Sequence, residues 1–299
     1  MANSVSNRKN INGWLIFDKP KNISSTNSLN IIKKLFNAKK AGHGGTLDPL
    51  ATGVLPIAFG EATKVLSYIV SKKKQYEFTL KWGEQTDTDD STGRIINTSE
   101  NVPKKDDIQK KIKEYKGEID QIPPIFSAIK LDGKRSYELA RKGIEIKHIS
   151  RKVNIYDLDM ISSVKEITKF NVVCGKGTYI RSLARDLGKS LNSEAHIIDL
   201  RRTFVGTFSI ENAFSLDSLE KLSHTAEIKN ALFPIERALD DIPALKIDRN
   251  QANKLKFGQA IKVNSNLSKK EVKIFHENIL IAIGHISDGL VKPIRVFNL

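Results

Sequence analysis

The stretch of the chain richest in potential chemistry is residues 42–60, Gly42-His-Gly-Gly-Thr-Leu-Asp-Pro-Leu-Ala-Thr-Gly-Val-Leu-Pro-Ile-Ala-Phe-Gly60. Glycines and two prolines among apolar residues require a segment that is permissive in backbone and still partly buried. Its one carboxylate, Asp48, precedes Pro49, which favours an extended backbone there. An Asp-Pro pair ordinarily marks a turn whose carboxylate bonds neighbouring N–H groups. The surrounding glycines and apolar residues argue against that ordinary turn here.

Other chemistries fail on spacing. The one Gly-Lys-Ser, residues 188–190, has Leu183 where a phosphate-binding loop needs its first Gly. The acidic run Asp87-Thr-Asp-Asp-Ser-Thr-Gly93 has Thr92 where a calcium loop needs Gly and Thr98 where it needs a bidentate Glu. It reads as a turn after a strand ending at Trp82, with one carboxylate free to serve elsewhere. The 6 His are scattered without metal-ligand spacing, and the lone Cys174 excludes a disulfide framework or a thiolate-rich metal site. The expected metal content is none, and a single cysteine fits a reducing compartment, the cytoplasm.

The elements that must position these residues alternate irregularly. Gly13 to Phe17, Gln75 to Trp82, Phe170 to Cys174 and Ile279 to His285 read as strands. Ser25 to Phe36, Ser136 to Arg141 and Tyr179 to Leu191 read as helices, the first opening on a Ser/Thr cluster and the last carrying Leu183, Leu187 and Leu191 at helical spacing. Without the regular strand-helix beat of a nucleotide-binding sheet, the expected class is α+β on an antiparallel or mixed sheet.

The 299 residues carry a formal charge of +15, which self-repels in a compact state and suits a polyanionic partner, nucleic acid first. Residues 205–244 are net −4 and residues 245–299 net +6; with Pro234 and Pro243 this shift places a joint near 243 and predicts domains 1–243 and 244–299. No apolar run approaches the ~20 residues of a membrane helix, and the first ten residues lack an apolar export core, so no membrane partner is expected.

The segment from Gly42 to Ile57 resembles the active-site motif of the TruB family, the tRNA pseudouridine-55 synthases. Further blocks follow in family order: Gly13 to Pro20, Gly60 to Lys64, Lys74-Gln-Tyr76, Gly83 to Asp90, Gln121 to Lys130, Gly133 to Tyr137, Cys174 to Arg181 and Asp199-Leu-Arg-Arg202. Two departures are Gly44, where the family usually has Thr and where the loop carrying His43 could loosen, and Asn22, where a Gly usually follows Asp-Lys-Pro.

The resemblance implies a pseudouridine synthase fold: a mixed, mainly antiparallel sheet, a central RNA-binding cleft and a small β-rich PUA-like C-terminal domain, expected as a small barrel. It implies isomerisation of uridine 55 in the tRNA T arm to pseudouridine by a flipped base and an essential aspartate. That reaction exchanges a C–N for a C–C glycosidic bond and needs no cofactor. By resemblance Asp48 is the essential carboxylate, Arg181 its counter-charge and Asp90 the third member of the ionic network. Tyr76 stacks on the flipped uracil, Tyr179 handles the C5 proton, His43 orders the space near extruded nucleotides and Leu200 supplies an apolar wall. Lys19, Pro20 and Lys64 are expected neighbours of the substrate. A stand-alone monomer with no obligatory protein partner is implied; the competing reading is a non-catalytic RNA-binding or RNA-folding protein on the same scaffold.

Overall fold

The computed structural model describes residues 8–299 apart from 128, 132, 141, 145–148, 226 and 265–269. The end of the expected helix at Arg141 and the first seven residues therefore lie outside the described residues.

The chain opens with β1 (Gly13–Lys19) and α1 (Ser25–Leu35), whose N-cap Ser24 accepts a hydrogen bond from the Asn27 N–H. β2 (Ala41–His43) and β3 (Thr52–Phe59) bracket the loop carrying Asp48. After α2 (Leu66–Ser71), β4 (Lys74–Trp82) alternates buried and half-buried residues throughout, putting Lys74, Tyr76, Phe78, Leu80 and Trp82 in one inward row. The β5 (Glu84–Thr86) and β6 (Ile95–Thr98) hairpin follows, then α3 (Lys105–Glu114) and β7 (Gly117–Gln121). A second small hairpin, β8 (Lys130–Leu131) and β9 (Lys134–Arg135), leads to α4 (Ser136–Ala140). Long antiparallel strands β10 (Arg151–Val164) and β11 (Ile167–Cys174) precede α5 (Ile180–Ser190), β12 (Ala195–Val205), β13 (Phe208–Ser209) and α6 (Leu216–His224).

The large sheet runs β1–β3–β12–β4–β11–β10–β7, with β2 on β3 and β13 on β12. Every pairing among its described strands is antiparallel except β12 with β3, where Arg201 faces Thr52 and Arg202 faces Gly53. This junction fixes the site, because it sets the end of the Asp48 loop beside Leu200 and Arg202. Gly53 sits at φ 98° and a Cβ there would lie 2.1 Å from the Arg202 carbonyl oxygen, so only glycine fits. Phe78 and Phe170 stack across β4 and β11 with centroids 5.1 Å apart, at the centre of a core that also takes Ile180, Leu183 and Leu187 from α5. The α+β class and the mixed, mainly antiparallel sheet are as the sequence predicts.

A second sheet follows from β14 (Ala244–Lys246), with α7 (Arg249–Lys256), β15 (Ile261–Lys262), β16 (Lys270–His276), β17 (Ile279–Ser287) and β18 (Leu290–Val296). Its order is β14–β16–β17–β18–β15. Among the described residues β14 and β15 do not pair, so an open sheet packed on α7 stands where a small barrel was expected. Leu280, Ile283 and Phe297 leave this unit to join a core with Trp14, Ile16, Val54 and Ala58 of the large sheet.

Candidate active site

A cavity of about 340 Å³ opens between the Asp48 loop, β4, β12 and the N-terminus of α5, with Asp48, Tyr76, Tyr179, Arg181 and Leu200 in its wall. That volume lies in the range of small-molecule sites. Five of the residues expected from the sequence therefore converge from four separate segments.

Arg181 organises the polar side. Its Nε is 2.8 Å from Asp48 Oδ2 and 3.7 Å from Asp90 Oδ2, an ion pair off the N–H axis rather than an aligned hydrogen bond. Its remaining nitrogens donate to the carbonyls of Thr88 (2.8 Å) and Phe126 (2.9 Å). A cation in the first turn of a helix meets the unfavourable end of the helix dipole, and two facing carboxylates offset that. The Arg181 side chain is 5% exposed and that of Asp48 37%, so the aspartate is paired on one side and open to a ligand on the other.

The acidic run is the turn expected, and two of its carboxylates are recruited. Asp90 accepts from the Thr88 and Thr92 hydroxyls and the Thr92 N–H while facing Arg181. Asp89 accepts from Arg185 at 2.9 Å, and burial raises its carboxyl above the ordinary range against the opposing pull of Arg185. One turn apart on α5, Arg181 and Arg185 thus clamp a single loop.

Tyr76 ends the apolar row of β4 and is 7% exposed, with Leu200 at 5% on the adjacent β12. Tyr179 stands at the N-cap of α5, and the Gln121 side chain grips its backbone from both sides, accepting from its N–H (2.8 Å) and donating to its carbonyl (3.1 Å). Burial, and next the Asp48 carboxylate, push the Tyr179 phenol above its ordinary value, which keeps it protonated at neutral pH.

Three expected substrate neighbours lie elsewhere. Lys64 donates to Glu61 and to the Val296 carbonyl (2.7 Å), joining the two sheets outside the cavity. His43 ends β2 opposite Ile57, on the strand side of the loop and not in the cavity wall. Lys19 is fully buried beneath the loop and donates to the carbonyls of Pro20, Ile23 and Pro49 at 2.8, 2.7 and 3.4 Å. Desolvation lowers its ammonium to about 8, against the raising pull of Asp48, and its hydrogen bonds hold the backbone at the foot of the Asp48 loop.

The departures at Gly44 and Asn22 fit their places. The Ile69 Cγ2 methyl fills the space of a Gly44 Cβ, 2.8 Å away, and the Gly44 N–H is held by the Pro56 carbonyl at 2.8 Å, so the loop is not loosened. Asn22 adopts φ 65°, a left-handed conformation asparagine tolerates, and its N–H donates to Pro49.

Sequence reasoning missed two supports, Arg202 and Ser25, and named Lys74 only with its neighbours Lys72 and Lys73 as a flanking cation suited to phosphate contact. Arg202 is 1% exposed; it donates to the carbonyls of Val54 (2.8 Å) and Gly45 (3.0 Å), on either side of Asp48, and its guanidinium lies 6.0 Å from the Tyr76 ring centroid. The Ser25 hydroxyl donates to the Leu47 carbonyl and accepts from its N–H. Lys74, buried in the cavity wall, is lowered to about 8 by desolvation and then by Arg202.

Residues 33–180 match the TruB family pseudouridylate synthase N-terminal domain, residues 181–240 a tRNA pseudouridylate synthase B C-terminal domain, and residues 243–297 the C-terminal domain of pseudouridine synthase II TruB. The chain is 43% identical over 300 residues to a tRNA pseudouridine synthase B of Caulobacter vibrioides, covering 97% of each, and 43% identical over 299 residues to one of Rhodospirillum rubrum at the same coverage. In fold it is similar to a chain of a solved Cbf5-Nop10-Gar1 complex, with a TM-score of 0.75 and 27% identity over 96% of this chain and 85% of that one. No helix among the described residues is long and apolar enough to cross a membrane. With three successive domains matched and near-complete relatives at this identity, the chain belongs to the TruB family of pseudouridylate synthases.

Proposed function

We propose that this protein isomerises a uridine of tRNA, uridine 55 of the T arm, to pseudouridine. The observation that carries the reading is the Asp48–Arg181 ion pair at one side of a cavity whose other walls are Tyr76, Tyr179 and Leu200. A uridine flipped from its stack places an aromatic base against Tyr76 and Leu200 and brings its glycosidic carbon toward Asp48. The C1′–N1 bond breaks, the freed uracil turns within the same walls, and C1′ bonds to C5. The C5 proton leaves and N1 gains one, so nothing is oxidised or reduced. Arg181 holds the Asp48 carboxylate oriented at the cavity wall, and the Tyr179 phenol, holding its proton, relays the C5 proton rather than abstracting it as a phenolate.

A binding-only protein gains nothing from an anion in a site for a polyanion, which disfavours the non-catalytic reading. The cations Lys74, Lys176 and Arg202 make the cavity wall positive, a field that favours the phosphates around the flipped nucleotide, although Lys74 and Arg202 are buried and spend their hydrogen bonds on backbone carbonyls. A tRNA substrate supports action in the cytoplasm, and a cavity lined by residues of one chain supports action as a monomer without an obligatory protein partner. The test is to incubate an unmodified tRNA transcript with the protein and map pseudouridine by carbodiimide adducts. One new adduct in the T arm is expected; an unmodified transcript after prolonged incubation contradicts the reading.

A further inference from the structure

At the rim of the cavity, beside Lys176, stands a tyrosine that the mechanism does not use. β10 and β11 pair antiparallel, but Ile155 faces Cys174 and Asp157 faces Val173, leaving Tyr156 as the extra residue of a bulge. Bulges re-aim side chains. Here the phenol turns toward the end of β11, where its hydroxyl lies 3.7 Å from the position a Cβ of Gly175 would occupy. The next residue, Lys176, is exposed and lines the cavity.

A half-buried tyrosine on a strand ordinarily covers core, yet Tyr156 is 47% exposed. Its packing partner is a charge: Lys73 Nζ stands 4.0 Å from the ring centroid. Lys73 is itself exposed and adjoins Lys74 of the cavity wall. The nearest strand carboxylates are engaged elsewhere, Asp157 by Lys116 and Glu77 by Lys169. An exposed ring under one ammonium group, with a second exposed lysine next to Gly175 in sequence, and neither lysine paired by an acid among the described residues, is a composition that holds a single-stranded nucleic acid: a base on the ring and phosphates on the cations.

We propose that Tyr156 is a stacking platform for a nucleobase next to the flipped uridine, with Lys73 and Lys176 meeting the flanking phosphates. This rests on the RNA-isomerase reading. A flipped base leaves its neighbours unstacked on the side where the chain turns into the cavity. Tyr156, at the rim beside Gly175 and Lys176, offers a surface to restack one of them.

The test uses the full-length protein and a T-arm stem-loop carrying 2-aminopurine on one side or the other of the target uridine. A fluorescence change on binding is expected at one position with wild type and with Tyr156→Phe, and its absence with Tyr156→Leu. Tyr156→Leu should weaken binding roughly 5- to 100-fold with an unchanged salt slope. Lys176→Gln should instead flatten the slope of log K against log salt by about 0.7, one phosphate contact to a single strand. Tyr156→Trp guards against a folding artefact, since it keeps a π face and should bind at least as tightly as Tyr156→Phe. Leucine binding within twofold of wild type, or an unchanged fluorescence signal, overturns the platform. If wild type leaves the unlabelled stem-loop unmodified, the isomerase reading fails instead; a modified stem-loop with an indifferent Tyr156 removes the platform alone.

Discussion

Arg181 meets Asp48, Asp90 and two backbone carbonyls at once, so its charge is committed on every side. Arg181→Met leaves Asp90 buried without its partner, a change that costs about 3–5 kcal/mol when a buried pair is broken from one side. A urea titration at neutral pH should show that loss, and the double change Arg181→Met with Asp90→Asn should recover part of the stability while turnover stays lost. Full recovery of turnover in the double variant contradicts a role for Arg181 at Asp48. Lys74 gives a second prediction. Its folded-state value of about 8 lies below the ordinary 10.5, so it loses its proton and its attraction for phosphate as pH rises through that region. Affinity for tRNA should therefore fall as pH rises from neutrality through about 8, and Lys74→Gln should bind more weakly at neutral pH with a flatter pH profile, measured by filter binding at fixed salt. By the same sign, the stability cost of burying charged Lys74 is full below about 8 and fades as pH climbs toward 10.5, where the unfolded lysine also loses its proton. At this scale the convergence of Asp48, Tyr76, Tyr179, Arg181 and Leu200 on one cavity was legible, because their side chains carry the chemistry their blocks suggest. Arg202, Gln121 and the supporting role of Lys19 were not, because their work is done on backbone carbonyls and N–H groups that no spacing in the sequence records.

The elements hold the site through one junction, the parallel pairing of β12 with β3. Gly53→Ala sets a Cβ against the Arg202 backbone, where neither strand can yield. It should cost about 3 kcal/mol or more and reduce turnover as Asp48 and Leu200 move apart. Gly177, at φ 87° with nothing within 4 Å of where a Cβ would stand, is the control, since Gly177→Ala should cost only the ~1 kcal/mol of a left-handed alanine. Equal denaturation midpoints for the two variants contradict the junction argument. Strands such as β4, with strict alternation along its length, and α5, with leucines four apart, were readable because one face of each is buried. The parallel junction was not, since it joins segments far apart in the chain whose only local sign is a glycine. The bulge at Tyr156 was hidden for the same reason: it exists only in the register of β10 against β11.

At the scale of the molecule, the two sheets share a core, and Leu280, Ile283 and Phe297 bury Trp14, Ile16 and Val54. Lys72 pairs with Asp240 and Asp241 of the connecting segment, and Tyr68 donates to Glu271 of the second sheet. Excising residues 244–299 therefore strips apolar surface from the large sheet, and loss of solubility and of a cooperative melt is the expected outcome; a soluble truncation melting near wild type contradicts the shared core. The contribution of this unit to RNA binding is better read by removing exposed charge in place, as in Lys254→Gln with Lys256→Gln. The charge shift near Pro243 was visible in the sequence; the apolar residues that weld the units were not, because they look like any strand core until their partners are known. The central claim, that Asp48 carries the chemistry of an RNA isomerase, is tested most directly by single-turnover kinetics of Asp48→Asn on a tRNA transcript at saturating protein. The expected result is tRNA binding close to wild type with a rate of pseudouridine formation below roughly a thousandth of it. A rate within tenfold of wild type, in protein free of wild-type contamination, contradicts the claim.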